Sequence, residues 1–126
     1  MLMSRIAVIA ALALLPGAIA NAQAIPPVQV IYLQSFAYDP APIVLHAGRP
    51  VTLQFINRAG SGHDFTSPKF FGSARIVSGT VDKGKVNLRP RQVASVTLIP
   101  AAGTYRVHCG RPFHTMLGMK STIIVQ

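Results

Sequence analysis

The sole cysteine of this chain, Cys109, is followed five residues later by His114 and five further on by Met119. A thiolate, an imidazole and a thioether thus fall within one short stretch, from Gly103 to Met119, that reads as a strand end followed by a tight loop. Thiolate and thioether sulfur select soft, redox-active copper, and imidazole suits it as well. A trigonal site of two histidines and one cysteine with a weak axial methionine needs one more imidazole. His63, in Gly62-His63-Asp64-Phe65, is the natural candidate.

The strand phase supports an inward thiol. Side chains alternate across a strand, so Tyr105, Val107 and Cys109 share one face and Arg106 and His108 the other. Tyr105 and Val107 are core types. An inert buried cysteine is the ordinary alternative, but His114 and Met119 at these spacings favour ligation. His114 has apolar neighbours, Pro112, Phe113, Met116 and Leu117, that a solvent loop rarely collects. Met116 competes with Met119 for the axial place. His108 faces away from Cys109, so the two cannot share one ion. His46 reads as a strand-end surface residue.

Tyr105-x-x-x-Cys109-x-x-x-x-His114-x-x-x-x-Met119, with Gly103 before it and His63 far upstream, resembles the cupredoxins, the small blue copper proteins. The resemblance runs from about Val28 to Gln126. It implies an all-β fold, an antiparallel Greek-key sandwich or barrel. It also implies one copper ion per chain, held by His63, Cys109, His114 and Met119. Gly118-Met119 before Ser121-Thr122-Ile123-Ile124-Val125 resembles the family's axial methionine and last strand, which favours Met119 over Met116. His114 takes the family's role of electron exit through an apolar patch. Asp64 stands where many relatives carry an asparagine that hydrogen-bonds to the cysteine loop; an ionised Asp accepts but does not donate.

Other uses of these residues fit less well. The His-Cys-x4-His-x4-Met loop also resembles the mononuclear loop of multicopper oxidases. Those carry a histidine directly after the cysteine, where this chain has Gly110, and several His-x-His pairs, which this chain lacks. A binuclear copper site needs two bridging cysteines. Thioether is a poor zinc ligand. Nucleophilic cysteine catalysis needs an activated, accessible thiol with an oriented base, and neither an acidic orienter for His114 nor an oxyanion loop is in view. The expected protein is therefore not an enzyme.

The elements that must position these residues are short. Val28 to Phe36, Ile43 to His46, Val51 to Asn57, Val86 to Leu88, Gln92 to Ile99, Thr104 to Cys109 and Ser121 to Gln126 read as strands, rich in β-branched residues or alternating in polarity. Tyr38 to Pro42 and Ala47 to Pro50 read as turns. Arg58 to Gly62 is a polar loop that delivers His63. Phe65 to Phe71 is apolar with a Ser-Pro break and has room for a short helical turn. Gly72 to Lys85 is the least legible stretch. Many short strands with regular turn signals indicate a sandwich or barrel.

A chain of 126 residues supports one domain. Residues 1–24 have the features of a secretory signal. Arg5 precedes an apolar run from Ile6 to Leu15, Pro16 and Gly17 break it, and Ala20-Asn21-Ala22 or Ala22-Gln23-Ala24 offers a cleavage site. Cleavage after Ala22 or Ala24 leaves a domain over 25–126 and places it in the periplasm or outside the cell. There, one cysteine cannot close an internal disulfide, which leaves a partner-pairing thiol, a reactive thiol or a ligand, and ligation would also protect it from oxidation.

The net charge is +9, from 12 Lys and Arg against 3 acidic residues, or +8 without Arg5. Such a balance favours acidic partners. Export and the absence of a Lys/Arg run argue against nucleic acid. The expected protein is a monomeric electron carrier that does not stay on the membrane. Arg111 beside the exit histidine, with Lys69, Lys83, Lys85, Arg89 and Arg91, is expected to meet an acidic redox partner. The alternative is a periplasmic copper carrier or buffer, against which the shortage of methionines counts.

Overall fold

The computed structural model describes residues 11–17, 24–112, 114 and 117–126. The signal-segment features at 1–10 and 18–23, and Phe113, Thr115 and Met116, lie outside the described residues. Among the described residues, ten strands and one short helix follow in chain order: β1 Val28–Gln34, β2 Ala37–Asp39, β3 Ile43–Leu45, β4 Val51–Asn57, β5 His63–Thr66, α1 Pro68–Ser73, β6 Arg75–Ser78, β7 Lys85–Leu88, β8 Val93–Ile99, β9 Gly103–His108 and β10 Lys120–Val125.

They form two five-stranded sheets, ordered β2-β1-β4-β8-β6 and β3-β10-β9-β5-β7. Antiparallel ladders predominate, and each sheet has one parallel pair, β1 with β4 and β3 with β10. The inward faces close on one core. Ile31, Leu33, Leu53, Phe55, Val96 and Leu98 come from the first sheet and Ile43, Phe65, Leu88, Val107 and Ile123 from the second. Phe55 and Phe65 meet across the sheets with ring centroids 4.8 Å apart. Full burial of one such side chain is worth about 1.5–3 kcal/mol. Cys109 and Met119 belong to the same buried cluster.

Four details differ from the sequence expectation. Ala37–Asp39, within and just before the expected turn, pairs with β1 as a strand, so Val28 to Phe36 is a strand ending at Gln34 and a two-residue hairpin turn. The 58–62 loop delivers His63 as expected, but His63–Thr66 forms a strand that the sequence did not mark, β5, with His63 paired with Leu88. Arg75–Ser78, in the stretch without clear signals, is an exposed edge strand on β8 with a register shift between Ile76 and Ser78. It has no buried face to impose an alternation. The helical turn forms over Pro68–Ser73, with Pro68 in its first turn, where the missing N–H costs nothing.

Candidate metal centre

β4 sets the site's scaffold. Its alternation buries Val51, Leu53, Phe55 and then Asn57, so the inward phase ends on a polar residue. The Asn57 amide donates to the carbonyls of Ser61 (2.9 Å) and Arg89 (3.0 Å), and its oxygen accepts the N–H of Ala59. One buried side chain thereby fixes the loop leading to His63 and the loop after β7. Nothing in local propensity marks Asn57; only its phase in the alternation does.

The ligand loop between β9 and β10 is tied at its chemistry-bearing residues. The N–H of Cys109 donates to the carbonyl of Met119 at 3.0 Å, that of Met119 to His114 at 2.9 Å, and that of His114 to Arg111 at 3.2 Å. Five-residue spacing thus becomes spatial adjacency. Gly118, at φ +97°, provides a turn that L side chains rarely adopt.

His63 Nδ1 and His114 Nδ1 are 3.1 Å apart, and Cys109 Sγ lies 3.4 Å from His114 Nδ1 and 4.0 Å from His63 Nδ1. The three donor atoms all lie within 4.8 Å of one another. His63 and Cys109 are buried and His114 is half-buried. Met119 is fully buried. Two imidazoles, one thiol and a thioether in an apolar wall fit a soft, redox-active ion and do not fit a hard cation, which takes oxygen donors.

Neighbouring groups orient the donors. Ser61 Oγ lies 3.3 Å from His63 Nε2. A ring proton on Nε2 leaves the Nδ1 lone pair for a metal. Burial, then the charges of His114 and Arg111, hold the His63 pKa below the usual histidine value. Burial pushes the Cys109 thiol up, partly offset by backbone N–H groups of Arg111 and Asp64; the Asp64 N–H lies 3.4 Å from the sulfur. Asp64 does bridge to the cysteine loop, as acceptor. Its Oδ1 takes the Gly110 N–H at 2.8 Å and the Thr66 hydroxyl at 2.6 Å. A Cβ at residue 110 would lie 3.3 Å from the same carboxylate, so the position that is histidine in multicopper oxidases is crowded here. The Tyr38 hydroxyl donates to the Asp64 carbonyl at 2.6 Å.

Phe36, in the β1–β2 turn, packs edge-on against His114. Neither it nor Asn57, Ser61 or Tyr38 stood out in the sequence. The expected cation group divides. Arg89 and Arg91 follow β7 directly beyond His63's strand partner Leu88, and Arg111 packs on Gly62. Lys69 lies on α1, and Lys83 and Lys85 lie at the opposite end of β7. His108 pairs with Lys120 and Thr66 on the backbone and takes no part in the donor cluster. His46 is exposed beyond β3.

A two-sheet sandwich that buries such a donor set at one end defines a single-site copper-binding β protein. The chain belongs to the cupredoxin-like domain family, whose model matches residues 5–125. No curated protein sequence matches it. Among solved structures it is similar to the dithionite-reduced auracyanin of Roseiflexus castenholzii, at 22% identity and TM-score 0.60, covering 82% of this chain and 99% of that one. Auracyanin A of Chloroflexus aurantiacus, a "blue" copper protein, matches at 21% identity and TM-score 0.55, covering 79% and 99%. A multicopper oxidase of Campylobacter jejuni matches at 13% identity and TM-score 0.63, over 85% of this chain and 31% of that one. Likeness at this level shows the fold. With the donor geometry, it gives His63, Cys109, His114 and Met119 the arrangement of a type 1 copper site, one per chain.

Proposed function

We propose that this chain is an exported, non-enzymatic carrier of single electrons, in which His63, Cys109, His114 and Met119 would hold one copper ion. The observation that carries this reading is the convergence of three donor atoms within 4.8 Å from positions up to 51 residues apart. Bound copper supplies a one-electron Cu(II)/Cu(I) couple. The protein's residues hold the donors in place through the tied 109–119 loop and the Asn57-braced loop, so little atomic movement is needed when the charge changes. The apolar wall excludes water. The half-buried His114, with Phe36 packed edge-on against its ring, is the exit for the electron.

Residues 1–24 act as the export signal in this reading, with 25–126 as the mature domain in the periplasm. No helix among the described residues is long and apolar enough to cross a membrane. The partner is an acidic redox protein met by a monomer, with neither nucleic acid nor membrane involved.

Addition of Cu(II) to the purified metal-free protein should give an intense visible sulfur-to-copper charge-transfer band that Cys109→Ser abolishes. Reversible one-electron voltammetry should accompany it. Absence of the band in the folded protein would overturn the copper assignment. A band with copper transfer to a metal-free acceptor, and no reversible wave, would favour copper handling instead. N-terminal sequencing of the exported protein should begin at Gln23 or Ile25.

A further inference from the structure

Three segments border the donor cluster: 58–62, 89–92 and the described residues of the β9–β10 loop, 110–112, 114, 117 and 118. They contain four arginines, Arg58, Arg89, Arg91 and Arg111, and no lysine or acidic residue. All four arginines are exposed. Asp64, the carboxylate beneath them, is buried and already accepts hydrogen bonds from Gly110 and Thr66.

Three of the guanidiniums are held in place. That of Arg58 lies 3.4 Å over the Tyr32 ring centroid. That of Arg91 donates to the Arg58 carbonyl. That of Arg111 fills the space above Gly62, where a Cβ would lie 2.8 Å from its Nη2. For Arg89 the backbone is fixed, its N–H donating to Gln92 Oε1 at 2.8 Å and its carbonyl accepting from Asn57. Arginine presents a planar fork that binds carboxylates in a bidentate manner, and a pre-placed fork loses less entropy on binding than a free lysine.

We propose that these four arginines form a collar that docks a carboxylate-rich face of a redox protein, with the exposed ring of Phe36, which packs on His114, seated against the same partner. This rests on the electron-carrier reading. Charge complementarity selects the occupant, because the three loops carry only positive side-chain charges; the exposed Asp39 stands cross-strand from the Tyr32 that Arg58 covers, so Arg89, Arg91 and Arg111 are the unopposed cations. Fixed guanidiniums suit carboxylates at fixed positions on a protein more than mobile lipid headgroups. The collar adjoins both ligand histidines, so a partner held there has a short path to the exit edge. Lys69, Lys83 and Lys85 add to the long-range attraction but not to the docking contact.

Two measurements test this. In the first, the reduced copper protein is oxidised by hexacyanoferrate(III), an anionic probe, in stopped flow. Arg89→Gln/Arg111→Gln should slow the reaction about five- to tenfold at low ionic strength and flatten its salt dependence, while Lys69→Gln/Lys83→Gln/Lys85→Gln should change it less than about twofold. In the second, the metal-free protein is titrated with a hexaglutamate peptide and followed by NMR. Amide shifts should concentrate in 57–62, 89–92 and 110–112. Arg89→Gln alone, which removes no packed guanidinium, should reduce them and keeps the test valid if the double variant fails to fold. Equal effects of the lysine and arginine variants, or shifts centred on 69–85, would overturn the proposal. So would arginine-dependent sedimentation with phosphatidylglycerol vesicles without peptide shifts. Failure to load copper would sink the carrier reading alone, since the peptide titration still decides the surface.

Discussion

The ring of Phe36 meets that of His114 edge-on, with centroids 5.3 Å apart and planes at 88°. Phe36 achieves this at φ +62°, in the two-residue turn between Gln34 and Ala37, a region costly for a bulky L residue by about 1–2 kcal/mol. Its carbonyl also lies 3.8 Å from where a Gly118 Cβ would stand. A strained aromatic residue wedged against the ligand loop indicates a positioning role for the exit histidine.

Phe36→Gly should therefore separate stability from site integrity. Glycine relieves the backbone strain, and the lost ring contact is worth about 0.5–1.5 kcal/mol. The metal-free variant should unfold within about 1 kcal/mol of the parent in urea. Copper should leave it faster, by up to about tenfold, in competition with a chelator. An unchanged release rate together with a large stability loss would mean that Phe36 is only packing.

Two charges near the sulfur should move the reduction potential in opposite directions. The Arg111 cation favours the state with one positive charge fewer, and the Asp64 carboxylate disfavours it. Arg111→Gln should lower the potential, and Asp64→Asn, whose side-chain oxygen can still accept from Gly110, should raise it. Each shift should be on the order of tens of millivolts, as expected for one charge at short range behind partial screening. Voltammetry at low salt reads both. Gly62→Ala should act like a weaker Arg111→Gln, because a methyl group there displaces the guanidinium.

Much of this arrangement was visible in the sequence because it depends on residue type and strand phase. Val51 to Asn57 alternates cleanly, and the strand has those bounds. The 109–119 loop carries its donors at fixed spacing, and backbone hydrogen bonds turn that spacing into contact. What was hidden depends on tertiary pairing. β6 has all four residues exposed, so no hydrophobic period marks it. Phe36 is distant from His114 in sequence and meets it only because the first hairpin lies over the last loop. The division of the cations follows from Asn57 drawing the 89–92 loop towards the site, a set of long-range hydrogen bonds that composition cannot reveal.

Metal binding and folding should both depend on pH through the two shifted donors. Without metal near neutral pH, His63 is held neutral, because burial takes its pKa below 6.5, and Cys109 keeps its proton, because burial takes it above 9.0. Copper must therefore displace the thiol proton. Between about pH 7 and 9 the apparent affinity should rise about tenfold per pH unit, with close to one proton released per ion in weakly buffered solution. The metal-free fold should lose stability as pH falls below 6.5, where the unfolded state protonates His63 first. It should also lose stability as pH rises above 9.0, where the unfolded state ionises Cys109 first. A pH-independent affinity over that window would contradict the thiolate assignment.

Asn57 should be the most sensitive position outside the donor set. Its amide nitrogen faces the carbonyls of Ser61, Leu88 and Arg89, the second at 3.4 Å, while its oxygen holds the Ala59 N–H. Asn57→Asp keeps the shape and the Ala59 contact but turns an acceptor towards three acceptors in a buried position. It should cost more than Asn57→Ala, which leaves carbonyls unpaired at about 1–3 kcal/mol. Both variants should loosen the 58–62 and 89–92 loops together, seen as faster amide exchange in both segments of the metal-free protein. Copper should raise the melting temperature of the variants more than that of the parent if the ion restores the position of His63. Loosening confined to one loop would show that Asn57 does not couple them.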